Sequence, residues 1–257
     1  MTHSRSTEMS EIISSENSLI EQLKSIYEEI GEEGQRKIKS LPKNLTVIFT
    51  GPSGSGKTTY AKMLQRFLDS DEIFPDNNSN TKVIDVGELL RGFCESPNHM
   101  DVLKESARAT MNAGNPVDIS IKGPLVFQEV ESFLLKVPDG NLIFADAPLD
   151  DNERSFLQMF LLNLKRPSLI IQFVVSESEL RKRLVGRIEK KREDDNPESI
   201  KKRGNVYRDT TMPAIRRMVD DGFKKEIVEI GDGNSIPVAF KHLLKKIAWS
   251  QFFNEKR

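Results

Sequence analysis

The chain has 257 residues, with 38 Lys and Arg against 39 Asp and Glu, and its formal net charge is −1. This length suits one α/β domain with a terminal appendage, and a near-zero net charge predicts no general attraction to nucleic acid or membranes. Its one cysteine, Cys94, excludes an internal disulfide and a cysteine-cluster zinc site. Because the sequence shows neither an apolar leader nor an apolar run of about 20 residues, we expect a cytoplasmic protein. We also expect a monomer.

The first 43 residues precede the first predicted strand. Residues 1–17 are rich in Ser, Thr and Glu with little to bury, which predicts a disordered tail. Residues 18–43 form a helical extension, because apolar residues recur at spacings of three and four. These positions are Leu19, Ile20, Leu23, Ile26, Tyr27 and Ile30. The helix either packs against the body of the protein or docks its apolar face into a partner's groove.

A glycine-rich motif follows the first apolar run. Gly51, Gly56, Lys57 and Thr58 match the pattern G-x-x-x-x-G-K-[ST], between a predicted strand and a predicted helix. In that setting backbone amides and the helix N-terminus bind phosphates, the lysine reaches the β- and γ-phosphates, and the threonine hydroxyl ligates Mg²⁺. The predicted ATP contacts are Gly51, Ser53, Gly54, Ser55, Gly56, Lys57, Thr58 and Thr59. The alternative is a glycine-rich turn that only begins a helix.

Five short apolar runs are separated by long helical patterns, at residues 45–50, 82–86, 141–147, 168–175 and 226–230. This alternation predicts an α/β protein in which helices cover both faces of a five-stranded parallel sheet. Together with the glycine-rich motif after the first run, the arrangement resembles the three-layer P-loop NTPase fold. Asp146 ends the third run, where an acid commonly meets Mg²⁺ directly or through water. A capping or turn carboxylate is the alternative.

Several segments, in the same order, resemble the adenylate kinase branch of the nucleoside monophosphate kinases over residues 44–247. Val-Gly-Glu-Leu-Leu-Arg at 86–91 is similar to the family's T-G-D-L-L-R, and Ala-Gly-Asn-Pro-Val at 113–117 is similar to its A-G-x-x-V. The resemblance implies that Arg91 holds the acceptor phosphate and that Gly87 and Val117 line the acceptor site. It places the acceptor-binding segment at about 87–126.

Residues 180–203 resemble the family's run of lid arginines, with a short spacing typical of members without a zinc knuckle. The resemblance implies a lid at about 188–197, and it makes Arg187, Arg192 and Arg203 catalytic phosphate clamps together with Lys57. Arg183 lies one helical turn before Arg187, so both are predicted to contact ATP. An arginine fork can grip two phosphate oxygens at once.

The acceptor side departs from the family. The segment D-G-F-P-R becomes Asp-Ala-Pro-Leu-Asp at 146–150, so the family's second arginine is missing. Arg154 is the nearest cation in sequence, although its register does not match.

Together these features predict an ATP-dependent nucleoside monophosphate kinase, with a kinase domain at 44–257. It would transfer the γ-phosphoryl group of ATP, with Mg²⁺, to AMP or a related nucleoside monophosphate. The altered acceptor segment leaves two alternatives open. One is a P-loop kinase for a small molecule that is not a nucleotide, and the other is an ATP-binding regulator without turnover.

Overall fold

A computed structural model describes residues 2–75, 80–97, 101–188, 197–230 and 235–250, leaving out the side chains of 2–15 and 185–188. Its strands form one sheet of order β2-β3-β1-β4-β5 in which all neighbours are parallel. They are β1 (Thr46–Thr50), β2 (Thr81–Asp85), β3 (Asn141–Ala145), β4 (Ser168–Val175) and β5 (Lys224–Ile230). The predicted five-stranded parallel sheet is therefore confirmed, with each strand end within two residues of its apolar run.

Helices connect successive strands, as parallel pairing requires. They are α1 (Thr2–Glu29), α2 (Gly31–Lys39), α3 (Lys57–Leu68), α4 (Val86–Glu95), α5 (Asp101–Asn112), α6 (Ile119–Leu134), α7 (Asp151–Leu164), α8 (Glu177–Ile188), α9 (Pro197–Val206), α10 (Met212–Asp220) and α11 (Ile236–Trp249). A π-helical turn, Tyr207–Thr211, joins α9 to α10. Among the described residues, no helix is both long enough and apolar enough to span a bilayer.

The N-terminal segment differs from the prediction. Helix α1 begins at Thr2, so the residues for which composition predicts a disordered tail are helical in the structure. A helix satisfies its backbone hydrogen bonds internally, so a polar segment can extend one that is anchored further along. Close to that anchor, Glu16 forms an ion pair with Arg66 on α3.

The helical extension packs against the body of the protein, as one of the two interpretations predicts. Leu23, Ile26, Tyr27 and Ile30 are buried in the same apolar cluster as α3 and α11. The Tyr27 ring meets the Phe67 ring edge-on, with centroids 5.5 Å apart. The sheet thus has one core on the face of α1, α3 and α11 and a second on the face of α4, α6, α7 and α10.

Candidate functional site

The glycine-rich loop connects the end of β1 to the first turn of α3. Gly54 and Gly56 have φ angles of +88° and +90°, which favour glycine. A Cβ atom on Gly51 would lie 2.9 Å from Ser55 Oγ and 3.0 Å from the Phe173 carbonyl oxygen, so a side chain does not fit. The first amides of α3 have no acceptors within their own helix and carry its positive dipole end, which suits an anion.

Lys57 closes this loop and reaches the neighbouring strand. Its Nζ donates hydrogen bonds to the carbonyl oxygens of Gly51 (2.6 Å) and Pro52 (2.9 Å). The same Nζ lies 3.4 Å from Asp146 Oδ1 at the end of β3, and the lysine side chain is 7% exposed. The ammonium group is therefore held at the mouth of the loop, beside the third strand.

Ser55 supports the loop from inside. It is fully buried, its amide donates to the Pro52 carbonyl oxygen at 3.1 Å, and its hydroxyl accepts from Lys57 at 3.5 Å. The other predicted ATP contacts within the loop line a cavity in front of it. The Ser55 side chain therefore braces the loop from inside, while the predicted contact between the loop's backbone amides and ATP stays a prediction.

Two carboxylates stand beside the loop. Thr58 Oγ1 donates to Asp85 Oδ2 at 2.9 Å, while Asp85 Oδ1 accepts from the Glu88 amide at 3.0 Å and caps α4. Asp146 has a φ angle of +88°, and its amide donates to the Phe49 carbonyl oxygen, one residue beyond the end of β3. Because β2, β3 and β1 are adjacent in the sheet, Asp85, Asp146 and Thr58 share one edge.

These oxygens fit Mg²⁺. The ion usually takes one or two carboxylates and completes its shell with phosphate oxygens and water. Thr58 and Asp146 were predicted for this role, whereas Asp85 was not. Asp85 gives the same signal as Asp146, because it too ends a short apolar run.

A cavity of about 820 Å³ extends from the glycine-rich loop to the helices α4–α6. Gly87, Arg91 and Val117, the predicted acceptor contacts, line its far side. Arg91 folds back over Gly87, where a Cβ atom would lie 3.4 Å from Arg91 Nη1 and 3.3 Å from Asp85 Oδ1. The structure thus brings the predicted donor and acceptor residues to one cavity.

Two of the four predicted clamp arginines have described side chains, and both line the cavity. Arg183 Nε donates to Glu179 Oε1 at 2.8 Å. Burial raises the pKa of the neighbouring Tyr60 hydroxyl, and the Arg183 guanidinium opposes that rise. Arg203 Nη2 lies 3.5 Å from the Met111 carbonyl oxygen.

Arg192 and lid residues 189–196 lie outside the described residues, as does the side chain of Arg187. The helices on either side are described, because α8 ends at Ile188 and α9 begins at Pro197.

The segment after Asp146 uses its charges away from the cavity. Asp150 caps α7 by accepting from the Glu153 amide at 2.9 Å. Asp151 lies 2.6 Å from Arg154 and 2.7 Å from Arg217. Arg154 also lies 3.4 Å from Asp221. Arg154 is the cation nearest in sequence to the missing arginine, and this network holds it away from the cavity.

A buried ion pair that the sequence analysis missed lies at the acceptor end. Lys122 Nζ lies 2.9 Å from Glu153 Oε2, and the two side chains are 2% and 6% exposed. Glu153 Oε2 also accepts from the Leu149 amide at 2.7 Å. Burial raises the pKa of the Glu153 carboxyl, and the Lys122 ammonium acts in the opposite direction. Lys122 and Leu149 line the cavity; a lysine within the apolar pattern of α6 was the available signal.

Comparison with known proteins identifies the family. A family model described as an AAA domain matches residues 50–201, more than half of the chain. Adenylate kinases from two strains of Prochlorococcus marinus are 31% and 29% identical to it over 204 and 202 residues, which cover 78% and 77% of this chain and 97% of each relative. An adenylate kinase of Xanthomonas campestris is 29% identical over 184 residues, covering 66% of this chain and 83% of the relative.

Two solved structures are also similar. Chaetomium thermophilum Kti12 in complex with ADP-AlF3 gives a TM-score of 0.46 at 16% identity, over 79% of this chain and 97% of that one. A structure of the PezAT toxin–antitoxin system of Streptococcus pneumoniae gives 0.45 at 16% identity, over 91% and 87%. The family model over residues 50–201 and the adenylate kinase at 31% identity over 78% of this chain carry the assignment. The chain therefore belongs to the family described as the AAA domain, and it is an adenylate kinase-like P-loop kinase.

Proposed function

We propose that this chain is an ATP-dependent nucleoside monophosphate kinase, which transfers the γ-phosphoryl group of ATP to AMP or a related nucleoside monophosphate. The observation that carries the proposal is the arrangement around Lys57. Its Nζ lies 3.4 Å from Asp146 Oδ1, next to the 2.9 Å bond between Thr58 and Asp85. The cavity in front of them continues to Arg91 and Val117, so a donor and an acceptor nucleotide would share one space.

Phosphoryl transfer mainly requires that the donor and acceptor phosphates are aligned and that positive charge surrounds the transferred group. An oxygen of the acceptor phosphate forms the new bond to the γ-phosphorus, the bond to the β,γ-bridging oxygen breaks, and ADP leaves with that electron pair. Lys57 and the α3 amides would hold the donor phosphates, and Arg91 would orient the acceptor. Mg²⁺, when bound, neutralises phosphate charge, and Thr58, Asp85 and Asp146 would hold it.

The lid arginines complete the proposed clamp. Arg183 is oriented by Glu179, and Arg203 lies across the cavity near Met111. By the family resemblance, Arg187 and Arg192 join them when the lid closes. Closure would exclude water, which otherwise competes with the acceptor for the phosphoryl group.

The direct test is a coupled assay for ADP formation with AMP, GMP, IMP, CMP, UMP and dTMP as acceptors. We expect turnover with at least one of them. Lys57→Ala should lower kcat roughly 10²- to 10³-fold, the scale of losing one preorganised donor, whereas Lys182→Ala, an exposed lysine on α8, should retain it. A protein that binds ATP yet phosphorylates none of the six contradicts the proposal.

One observation favours a second candidate, a kinase that phosphorylates a hydroxyl group. A phosphate acceptor is already ionised, whereas a hydroxyl acceptor profits from a general base. Asp85 lines the same cavity as the acceptor helices, and Leu149 and Asp150 occupy the segment where the family has an arginine. ATP consumption with sugars, shikimate-like acids or nucleosides, and its loss in Asp85→Asn even at saturating Mg²⁺, would support this candidate. ATP binding with no acceptor in either panel would support a regulator without turnover.

A further inference from the structure

The buried pair of Lys122 and Glu153 lies at the acceptor end of the cavity and has no part in the chemistry described above. Both side chains are almost fully buried, and the pair connects α6 to α7 and to the segment that follows Asp146. Taking an ammonium and a carboxylate out of water costs several kcal/mol per ion before their attraction is counted. A use in ligand recognition would account for such a pair at a cavity wall.

The walls around Lys122 are apolar. Val86, Leu90, Val117 and Leu149 line the same cavity, and the first three belong to the apolar core beneath α4 and α6. Ligand sites of this kind hold a flat or apolar group between hydrophobic walls and fix its orientation with a few polar groups. A nucleobase has apolar faces and a polar edge, so it suits this end of the cavity.

The hydrogen-bonding capacity of Lys122 then decides which edge of a nucleobase is favoured. A lysine ammonium has three donors and no acceptor. Glu153 Oε2 accepts a hydrogen bond from one of these donors at 2.9 Å, and it also accepts one from the Leu149 amide. The cavity is lined by Lys122 rather than by Glu153. A ligand in the cavity would meet the lysine, whose ammonium has only donors, so the matching edge of the ligand would accept a hydrogen bond.

We propose that Lys122 determines specificity for the acceptor base by donating a hydrogen bond to a ring carbonyl oxygen, and that Glu153 is its positioning residue. This inference rests on the proposed function. It narrows the acceptor to monophosphates whose base carries a keto group on the edge that faces Lys122. Guanine and hypoxanthine present such an oxygen at C6 and uracil presents one at C4, whereas adenine and cytosine carry an amino group at these positions. An amino group directed at an ammonium would leave buried donors unpaired, which a polar site rejects strongly.

Matched acceptors test this directly, because IMP and AMP have the same sugar phosphate and differ on the base edge, as do UMP and CMP. We expect kcat/KM for IMP to exceed that for AMP by at least ~10-fold, the scale of one unpaired buried group. The shift in melting temperature caused by each monophosphate should follow the same order, which gives a readout without turnover. Equal values for IMP and AMP, or a preference for AMP, would overturn the inference.

The variant Lys122→Met with Glu153→Gln removes the donor without leaving a buried charge, and glutamine still offers the Leu149 amide an oxygen. We expect this variant to lose the preference for IMP over AMP while its melting temperature still rises with ATP. Lys136→Met, an exposed lysine just beyond α6, should keep the preference. If the folded double variant keeps the wild-type preference, the pair is only structural and the inference fails. No turnover with any monophosphate is a different failure, since it removes the proposed function itself.

Discussion

Asp85 binds two neighbours with its two carboxylate oxygens. Oδ2 accepts from Thr58 and Oδ1 accepts from the Glu88 amide at the start of α4. Asparagine is as good an N-cap as aspartate, so Asp85→Asn should fold normally and lose only the negative charge beside Thr58. Because groups that orient or neighbour a metal ligand are typically worth 10- to 100-fold in metal affinity, we expect half-maximal activity to need about that much more Mg²⁺.

The measurement is a Mg²⁺ titration of activity at saturating ATP. Asp71→Asn, an exposed aspartate after α3, is the control and should show the wild-type midpoint. An unchanged Mg²⁺ midpoint in Asp85→Asn would mean that Mg²⁺ binds at Thr58 without help from the Asp85 carboxylate.

At the level of single residues, the sequence was informative where the signal is local. Lys57 and Thr58 lie within one contiguous motif, and Asp146 directly follows a buried strand. Asp85 and Lys122 take their roles from partners 27 and 31 residues away along the chain. Such pairings depend on which strands and helices become neighbours, and one sequence does not show that.

Helix α4 carries a glycine that its position does not require. Gly92 lies on an exposed face in the helix interior, and a Cβ atom there would meet nothing within 4 Å. Glycine in a helix interior costs roughly 0.5–1 kcal/mol relative to alanine, so Gly92→Ala should raise the free energy of unfolding by about that amount. Urea denaturation checks it. Gly51→Ala is the contrast and should be harmful, because its Cβ atom would lie 3.0 Å from the Phe173 carbonyl oxygen.

The α1 extension provides a second test at this scale. Leu23 is fully buried in the core that it shares with α3 and α11. Leu23→Ala should therefore lower the free energy of unfolding by about 2–5 kcal/mol, the usual range for a buried leucine. Glu28→Ala, an exposed position on the same helix, should change it little. Equal stability of the two variants would show that the extension is not part of the folded core.

Secondary-structure elements were predictable to the extent that burial imposes a pattern. Strands buried on both faces read as short apolar runs, and β4 was therefore located to the residue. The helical spacing from Leu19 to Ile30 likewise indicated the packed part of α1. The polar start of α1 and the π-helical turn Tyr207–Thr211 were not predicted, because neither needs an apolar pattern to form.

On the scale of the whole molecule, the sheet order explains why the site lies where it does. Strand β1 is flanked by β3 and β4, and β2 lies next to β3. The carboxyl ends of parallel strands meet at one edge, so the glycine-rich loop, Asp85 and Asp146 converge there. The helices of the second core then supply the acceptor side. The fold was predictable because alternating strands and helices leave few arrangements, whereas the contents of the acceptor end depended on packing between α6 and α7.

The free energy of unfolding should depend on pH through the titration of Asp69, which lies at the end of α3. Its carboxylate accepts from the amide and hydroxyl of Thr81, and burial raises its pKa from 3.8 to about 6. Within the described part of the chain, its Oδ1 is buried without a hydrogen-bond partner. A folded-state pKa above the unfolded one favours the protonated form, so the stability from this group is complete below about pH 4 and is lost as pH rises through about 6.

Asp69→Asn keeps the side chain neutral at every pH, so the variant should not lose stability as the pH rises through about 6. After discounting for partial exposure, we expect the variant to gain on the order of 1–2 kcal/mol over the wild type between pH 4 and pH 7. Urea denaturation of both proteins across this range measures the gain. Every other titrating group is shared, so the difference in unfolding free energy isolates Asp69. A difference that stays constant with pH would mean that Asp69 titrates near its ordinary value and that water reaches its carboxylate.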